Sequence, residues 1–354
     1  MSHQPPPLFG GAGSRNVAVV QPLPGIGDMI WHLPHLRALS AAAGGPVTLI
    51  AKPRSAADQL LAAESAVREV IWLDRNPEAR RGQHDGIVGL ARFVATLRAR
   101  RFDAILLLHH SLTVAVAARL AGVPLRLGYG SGLQRWLLNR GPFLSRVEQA
   151  LHPFDQASAW LRRVGVALAE AEPVLAVDAA ARTAVNARLA DALGTDGAQV
   201  RPHVAIGIGS SEPYKQWGAE RFAALVGGLR AAGWTRLVLV GGPAEVALAA
   251  EVRQHAGGDG MVSAIGWNLT EIAALAADAS FYVGNDTGVL NIAAAVGTRS
   301  YGLFGGWPPF HHSRRIVPIL PPDGKADKAT GMARITPEAV LAVIASEQPA
   351  SGAR

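Results

Sequence analysis

The sequence contains no cysteine. That excludes disulfides, thiolate nucleophiles and Cys-based zinc sites together, and it suits a cytoplasmic protein. No apolar run of about eighteen residues is free of charge, so no membrane-spanning helix is expected. The first fifteen residues, MSHQPPPLFGGAGSR, lack the apolar segment of a signal peptide. They are expected to form a loose tail. Basic residues do not gather in blocks with interleaved aromatics, so no nucleic-acid partner is expected.

What is present is apolar material, 49% of 354 residues. That is enough for two cores, in a chain longer than one core usually serves. Lys and Arg exceed Asp and Glu by 34 − 27 = 7. Such a surplus favours anionic partners, either phosphorylated small molecules or acidic lipid head groups. Free use of Arg without function is the plain alternative.

Strand-like and helix-like runs alternate. VAVVQPL (17–23) precedes a helix expected from Asp28 to Ala43. VTLIA (47–51) precedes SAADQLLAAE, REVIWL (68–73) precedes GIVGLARFVATLRARR, and FDAILLLHH (102–110) precedes LTVAVAARLAG. The strand runs are continuously apolar, as parallel strands covered on both faces require. After a less regular stretch the pattern restarts at HVAIGIG (203–209) and continues through TRLVLVGG (235–242), FYVGN (281–285) and RSYGLFG (299–305). The order predicts an α/β protein of two doubly wound domains. The expected organisation is a tail at 1–15, a first domain at 16–175, a linker at 176–200, a second domain at 201–335, and a C-terminal helix and tail at 336–354. Ligands on such sheets sit beyond the carboxyl ends of the strands, and the cleft between two such domains is the expected site.

Four stretches could carry chemistry. Gly25-Ile26-Gly27-Asp28 follows the first strand. A third glycine of the dinucleotide fingerprint would fall at 30, where Ile30 stands. Asp28 is either a capping acid or a working carboxylate. GIGSSEPYKQW (207–217) offers Ser210 and Ser211 for a phosphate and Lys215 as a cation, without the order of a P-loop. FYVGNDTGVLNIAAAVG (281–297) ends a strand in Asn285-Asp286-Thr287-Gly288 before an apolar helix, a ready place for an anion. Glu245, in the first turn after a strand, stands where a ribose-binding acid would lie and where any helix favours an acid. Arg54, Arg119, Arg126 and Arg135 could hold an acidic acceptor. The pairs His109-His110 and His311-His312 lack metal-ligand spacing, so no metal site is expected.

Read together, GIGDMIWHLPHLRAL, KQWGAERFAALVGGL and GNDTGVLNIAAAVG resemble, in order and spacing, segments of the heptosyltransferases of glycosyltransferase family 9. GVPLRLGYG adds to the likeness, which runs from about 16 to 345. The resemblance implies a GT-B fold, two facing Rossmann-like domains. It implies an inverting, metal-independent transfer from a nucleotide sugar, ADP-heptose in the first instance, to an anionic glycolipid or lipopolysaccharide-core acceptor. No cofactor is expected beyond the donor itself. On this chain Asp28 is then the general base and Lys215 neutralises the diphosphate. Asp286, Thr287 and Gly288 bind donor phosphates and sugar, with Ser210, Ser211 and Asn291 beside them, and Glu245 holds the ribose. Gly27, Arg54 and Arg126 are the acceptor-side candidates. The protein is expected in the cytoplasm, with peripheral contact at the inner membrane. One position departs from the family: Asn291 stands where the pattern has His. Asn can hydrogen-bond but carries no charge, which leaves a different donor open.

The rivals are a nucleotide-sugar epimerase of similar architecture, a periplasmic sugar-binding protein and a nicotinamide oxidoreductase. The second would need a signal peptide. The incomplete glycine fingerprint disfavours the third.

Overall fold

The computed structural model describes residue 8 and residues 15–76, 80–196, 199–200, 202–258, 260–310 and 312–347. Most of the expected tails and His311 lie outside the described residues. The chain divides into two compact units, Met1–Pro173 and Val174–Arg354. Each is an α/β unit built on one parallel sheet.

In the first unit, β1 (Val17–Val20), β2 (Val47–Ala51), β3 (Val67–Trp72), β4 (Ala104–Leu107) and β5 (Leu125–Gly128) pair in the order β3-β2-β1-β4-β5. Every residue of β1, β2 and β4 is buried. The continuous apolar runs therefore sit where the reading of the sequence put them, between helical layers. One layer packs Phe93, Leu97 and Val114 on Val20, Ile50 and Ile105.

Two expected helices are shorter than their sequence patterns. The run from 28 to 43 is broken into Ile26–Trp31 and Leu33–Ala43. Pro34 lacks an N–H and its ring collides with the carbonyl four residues back, which ends the first helix. His32 fills the break, with Nδ1 2.7 Å from the Asp28 carbonyl. SAADQLLAAE gives a single turn, Ala57–Leu60. Beyond it Glu64 turns inward to pair with Arg37 at 2.6 Å and to accept from the Ala66 amide at 3.1 Å, which steers the chain into β3.

The second unit opens with the helix Ala179–Leu193, inside the stretch 176–200 expected as a linker. Asp178 caps it by accepting from the Ala181 amide at 2.7 Å, and Arg182 donates to Asp278 of this unit at 2.9 Å. A two-residue antiparallel pair follows, β6 (Thr195–Asp196) and β7 (Gln199–Val200). The main sheet comprises β8 (His203–Gly207), β9 (Leu237–Gly241), β10 (Met261–Ile265), β11 (Ala279–Asn285), β12 (Ser300–Leu303) and β13 (Ile316–Ile319), in the order β10-β9-β8-β11-β12-β13. The helix Pro337–Glu347 lies against the helix Ala219–Ala231. Their contact needs Gly228, because a Cβ there would come 2.1 Å from Leu341.

In both sheets the winding reverses beside the first strand, between β1 and β4 and between β8 and β11. Loops leaving the carboxyl ends diverge there and open a crevice. Most of the candidate residues lie at these two switch points.

Candidate functional site

At the switch point of the second sheet, the loop after β8 carries Lys215 and the loop after β11 carries Asp286. Their side chains meet, Nζ to carboxylate oxygen at 2.6 Å, each about 20% exposed. This is a charge-assisted bond at the short end of its range. The loop that holds Lys215 is anchored on both sides. Trp217 is fully buried, stacks edge-on to Phe222 at 5.0 Å and donates from Nε1 to the Ile335 carbonyl at 2.9 Å. Asn285, also fully buried, donates to the carbonyls of Ile208 and Gly209 at 3.1 and 3.0 Å and to Gln216 Oε1 at 3.2 Å. It ties β11 to the loop after β8.

Thr287 is the N-cap of the helix Gly288–Ala295, and its side chain makes no capping bond. The first amides of that helix are therefore not taken up by the cap. Asn291 lies one turn in, buried, and donates to the Thr287 carbonyl at 3.0 Å. Ser210 closes its own turn by donating to the Glu212 carbonyl at 2.7 Å, and Ser211 is exposed. Glu245 follows β9, and its carboxylate reaches over the glycines of two strand ends. A Cβ at Gly209 or Gly242 would lie 3.6 or 3.1 Å from its oxygen. Lys215, Asp286, Thr287, Gly288, Asn291, Ser210, Ser211 and Glu245 thus share one edge of one sheet.

At the switch point of the first sheet, Asp28 sits in the first turn of the six-residue helix after β1. Its carboxylate accepts from the Gly25 amide at 3.2 Å. Glycine at 25 leaves room for that carboxylate, since a Cβ would come 2.6 Å from the same oxygen and push it aside. Burial raises the Asp28 pKa above the ordinary carboxylate value, and the Gly25 bond offsets this only in part. After β4, the strand paired with β1, stand His109 and His110. Burial, with the neighbouring His110 and Lys52, pushes the His109 imidazole down to about 4, so it is neutral at physiological pH. His110 is fixed by Ser131 and by Gln156 at 2.7 Å.

The acceptor-side candidates are more scattered. Gly27 adjoins Asp28, and Arg54 is exposed on a short turn after β2. Arg126 lies within β5 and donates to the carbonyls of Leu137 and Val123 at 2.8 and 2.7 Å.

Residues 90–319 match the model of glycosyltransferase family 9 (heptosyltransferase). The chain belongs to glycosyltransferase family 9. No curated protein sequence matches it. Among solved structures, a family 9 glycosyltransferase from Veillonella parvula is 21% identical with a TM-score of 0.77, over 94% of this chain and 96% of that one. The ADP-heptose lipopolysaccharide heptosyltransferase II of E. coli is 21% identical with a TM-score of 0.69, over 94% and 98%. E. coli heptosyltransferase WaaC, solved with ADP-2-deoxy-2-fluoro heptose, is 20% identical with a TM-score of 0.70, over 94% and 99%. These likenesses show the fold, that of the GT-B heptosyltransferases, and the family shows a glycosyltransferase.

In this family 9 chain the sequence shows Asn285 at its strand end but not that it ties two loops together, and it does not show the anchoring task of Trp217. Asn at the end of a buried strand was the available signal for the first. Reasoning from sequence set aside the pair His109-His110 as metal ligands and did not consider them in any other role.

Proposed function

We propose that this glycosyltransferase moves a heptose from ADP-heptose, with inversion and without a metal, to a hydroxyl of an anionic glycolipid of the lipopolysaccharide-core type. The observation that carries the reading is the Lys215–Asp286 pair at the open start of the helix Gly288–Ala295. It is joined by a half-buried carboxylate of raised pKa, Asp28, at the corresponding switch point of the first sheet.

The chemistry follows from these groups. Asp28 takes the proton from the acceptor hydroxyl, a task that a raised pKa favours. The oxygen attacks the anomeric carbon on the face opposite the diphosphate, and the bond to the leaving oxygen breaks. The nucleoside diphosphate departs with the electron pair. Lys215 and the amides of Gly288 and its neighbours stabilise the charge that develops there. Asp286 and Thr287 orient phosphate and sugar, Ser211 and Ser210 line the phosphate side, and Glu245 accepts from ribose hydroxyls. On the acceptor side, Gly27 gives close backbone approach and Arg54 meets an acidic group, while Arg126 acts through its field. That E. coli WaaC was solved with an ADP-linked heptose analogue supports the donor. The neutral Asn291 is the residue to suspect if the donor differs. No helix among the described residues is long and apolar enough to cross a membrane. The net charge of +7 suits peripheral work on acidic lipid at the cytoplasmic face of the inner membrane.

Thermal-shift binding against ADP, UDP, GDP, TDP, NAD and ADP-heptose tests this reading. Selective stabilisation by ADP and ADP-heptose is expected. Selective response to another nucleoside diphosphate would move the donor, and a response to NAD alone would sink the proposal. Product analysis without acceptor separates transfer from epimerisation, since only an epimerase would turn over.

A further inference from the structure

The loop after β12 presents Trp307, 45% exposed. Its ring is not loosely hung. Gly306 packs so closely on Tyr214 that a Cβ would come 2.6 Å from that ring. Gly305 is clamped from the other side: it accepts from the Asp327 amide at 2.8 Å, and a Cβ at Gly331 would lie 1.9 Å from its carbonyl. Lys328 spans the two rings, its Nζ 4.9 Å from the Tyr214 centroid and 5.1 Å from that of Trp307. Tyr214 is the residue next to Lys215. An exposed aromatic ring on a loop packed against the residue next to Lys215 is placed to meet a ligand held there.

Strand order says which part of a ligand it would meet. Along the carboxyl edge, Glu245 follows β9, Lys215 follows β8, Asp286 follows β11 and Trp307 follows β12. Three strand spacings separate the first from the last, about 14 Å, with the Lys215–Asp286 pair between them. A nucleotide sugar has the same linear order: ribose, diphosphate, transferred sugar. With ribose at Glu245 and diphosphate at Lys215, the sugar falls at β12.

We propose that Trp307, backed by Tyr214 and Lys328, is the platform on which the apolar face of the donor's transferred sugar stacks, and that it sets preference for the sugar rather than the nucleotide. This rests on the nucleotide-sugar reading above. One face of the indole carries the Lys328 cation. The accessible remainder takes the C–H face of the sugar ring, while sugar hydroxyls turn to Asp286.

Calorimetric titration of wild type, Trp307→Ala and Trp307→Phe tests it, with matched pairs: ADP and ADP-heptose, UDP and UDP-glucose, GDP and GDP-mannose. In the pair that wild type prefers, Trp307→Ala should weaken the sugar nucleotide by roughly 10-fold, the scale of one aromatic contact. The nucleoside diphosphate should be unchanged, and Trp307→Phe should restore most of the loss. Equal weakening of both ligands would put the ring under the base and overturn the platform. So would no weakening of either. A wild type that binds nucleoside diphosphate as tightly as its sugar conjugate overturns the platform and leaves the transferase reading standing. A wild type that binds no nucleotide overturns both.

Discussion

Asp28→Asn separates the two duties that Asp28 can have. The carboxamide is isosteric and keeps an oxygen where the Gly25 amide donates at 3.2 Å. The start of the helix Ile26–Trp31 is therefore preserved. Two small terms oppose each other in stability. An amide accepts more weakly than a carboxylate, a loss of about 0.5–1 kcal/mol. Against that, the buried charge whose desolvation raises the pKa is gone. The net change should stay within about 1 kcal/mol, whereas Asp28→Ala removes the acceptor altogether and should cost about 1 kcal/mol of cap. Transfer should behave differently, because Asn cannot take a proton. Removing a general base costs about 10²–10⁴-fold in rate. The assay is single-turnover transfer beside thermal denaturation and donor titration. The expected result for Asp28→Asn is an unchanged melting curve, unchanged donor affinity and a rate down by at least about 100-fold. The pH profile gives a second readout. In wild type the rate rises as Asp28 ionises, at a pH above the ordinary value of 3.8, and the variant lacks that limb. Stability runs in the opposite sense. The folded state holds the proton more tightly than the unfolded state, so this contribution is full below 3.8 and is lost as pH rises through the raised pKa. A rate within a few-fold of wild type, with normal donor binding, would refute the base assignment and leave Asp28 a capping residue.

Lys215→Ala should weaken nucleoside diphosphate binding by about 1.5–3 kcal/mol, roughly 10- to 150-fold. Because Asp286 is then left uncompensated, Lys215→Ala with Asp286→Asn should recover part of that loss, measured by titration calorimetry. Trp217→Ala should destabilise the second unit by about 3–5 kcal/mol in urea unfolding. Trp217→Phe should cost less but leave the Ile335 carbonyl without its donor. His109 has a folded-state pKa of about 4 against an ordinary 6.5, so its contribution is present above pH 6.5 and is lost as pH falls toward 4. His109→Gln should flatten that acid-side decline in melting temperature, and a steeper decline would contradict the assignment.

The sheets were legible in the sequence because parallel strands buried on both faces are apolar along their length, and VAVV, AILL and LVLVG are, with VTLIA interrupted only by Thr48. The break at His32 was legible in principle, since Pro34 forbids a continuous helix. The early end of SAADQLLAAE was not. It depends on Arg37, distant in sequence, drawing Glu64 inward. Much of the site could be read from residue type and order, since small and charged residues after strands fall on one sheet edge whenever the winding is parallel. What could not be read is which charges satisfy one another. That Lys215 faces Asp286, and that two of the donors of Arg126 go to backbone carbonyls, follows from tertiary placement alone. The role of Asn285 was not legible for the same reason: its work is to hold another loop in place.

The Lys215–Asp286 pair has a consequence for selectivity among anions. A bare lysine at a helix start would collect any phosphate in the cell. Here the cation already has an anion tethered within bonding distance, present at an effective concentration that free phosphate cannot match. A single phosphoryl group gains little by displacing it. A ligand that brings a second phosphoryl group for the helix amides, a ribose for Glu245 and hydroxyls for Asp286 gives that carboxylate something else to hold. On the proposed donor reading, the ion pair acts as a threshold, set so that the whole nucleotide sugar enters and single phosphoryl groups do not linger.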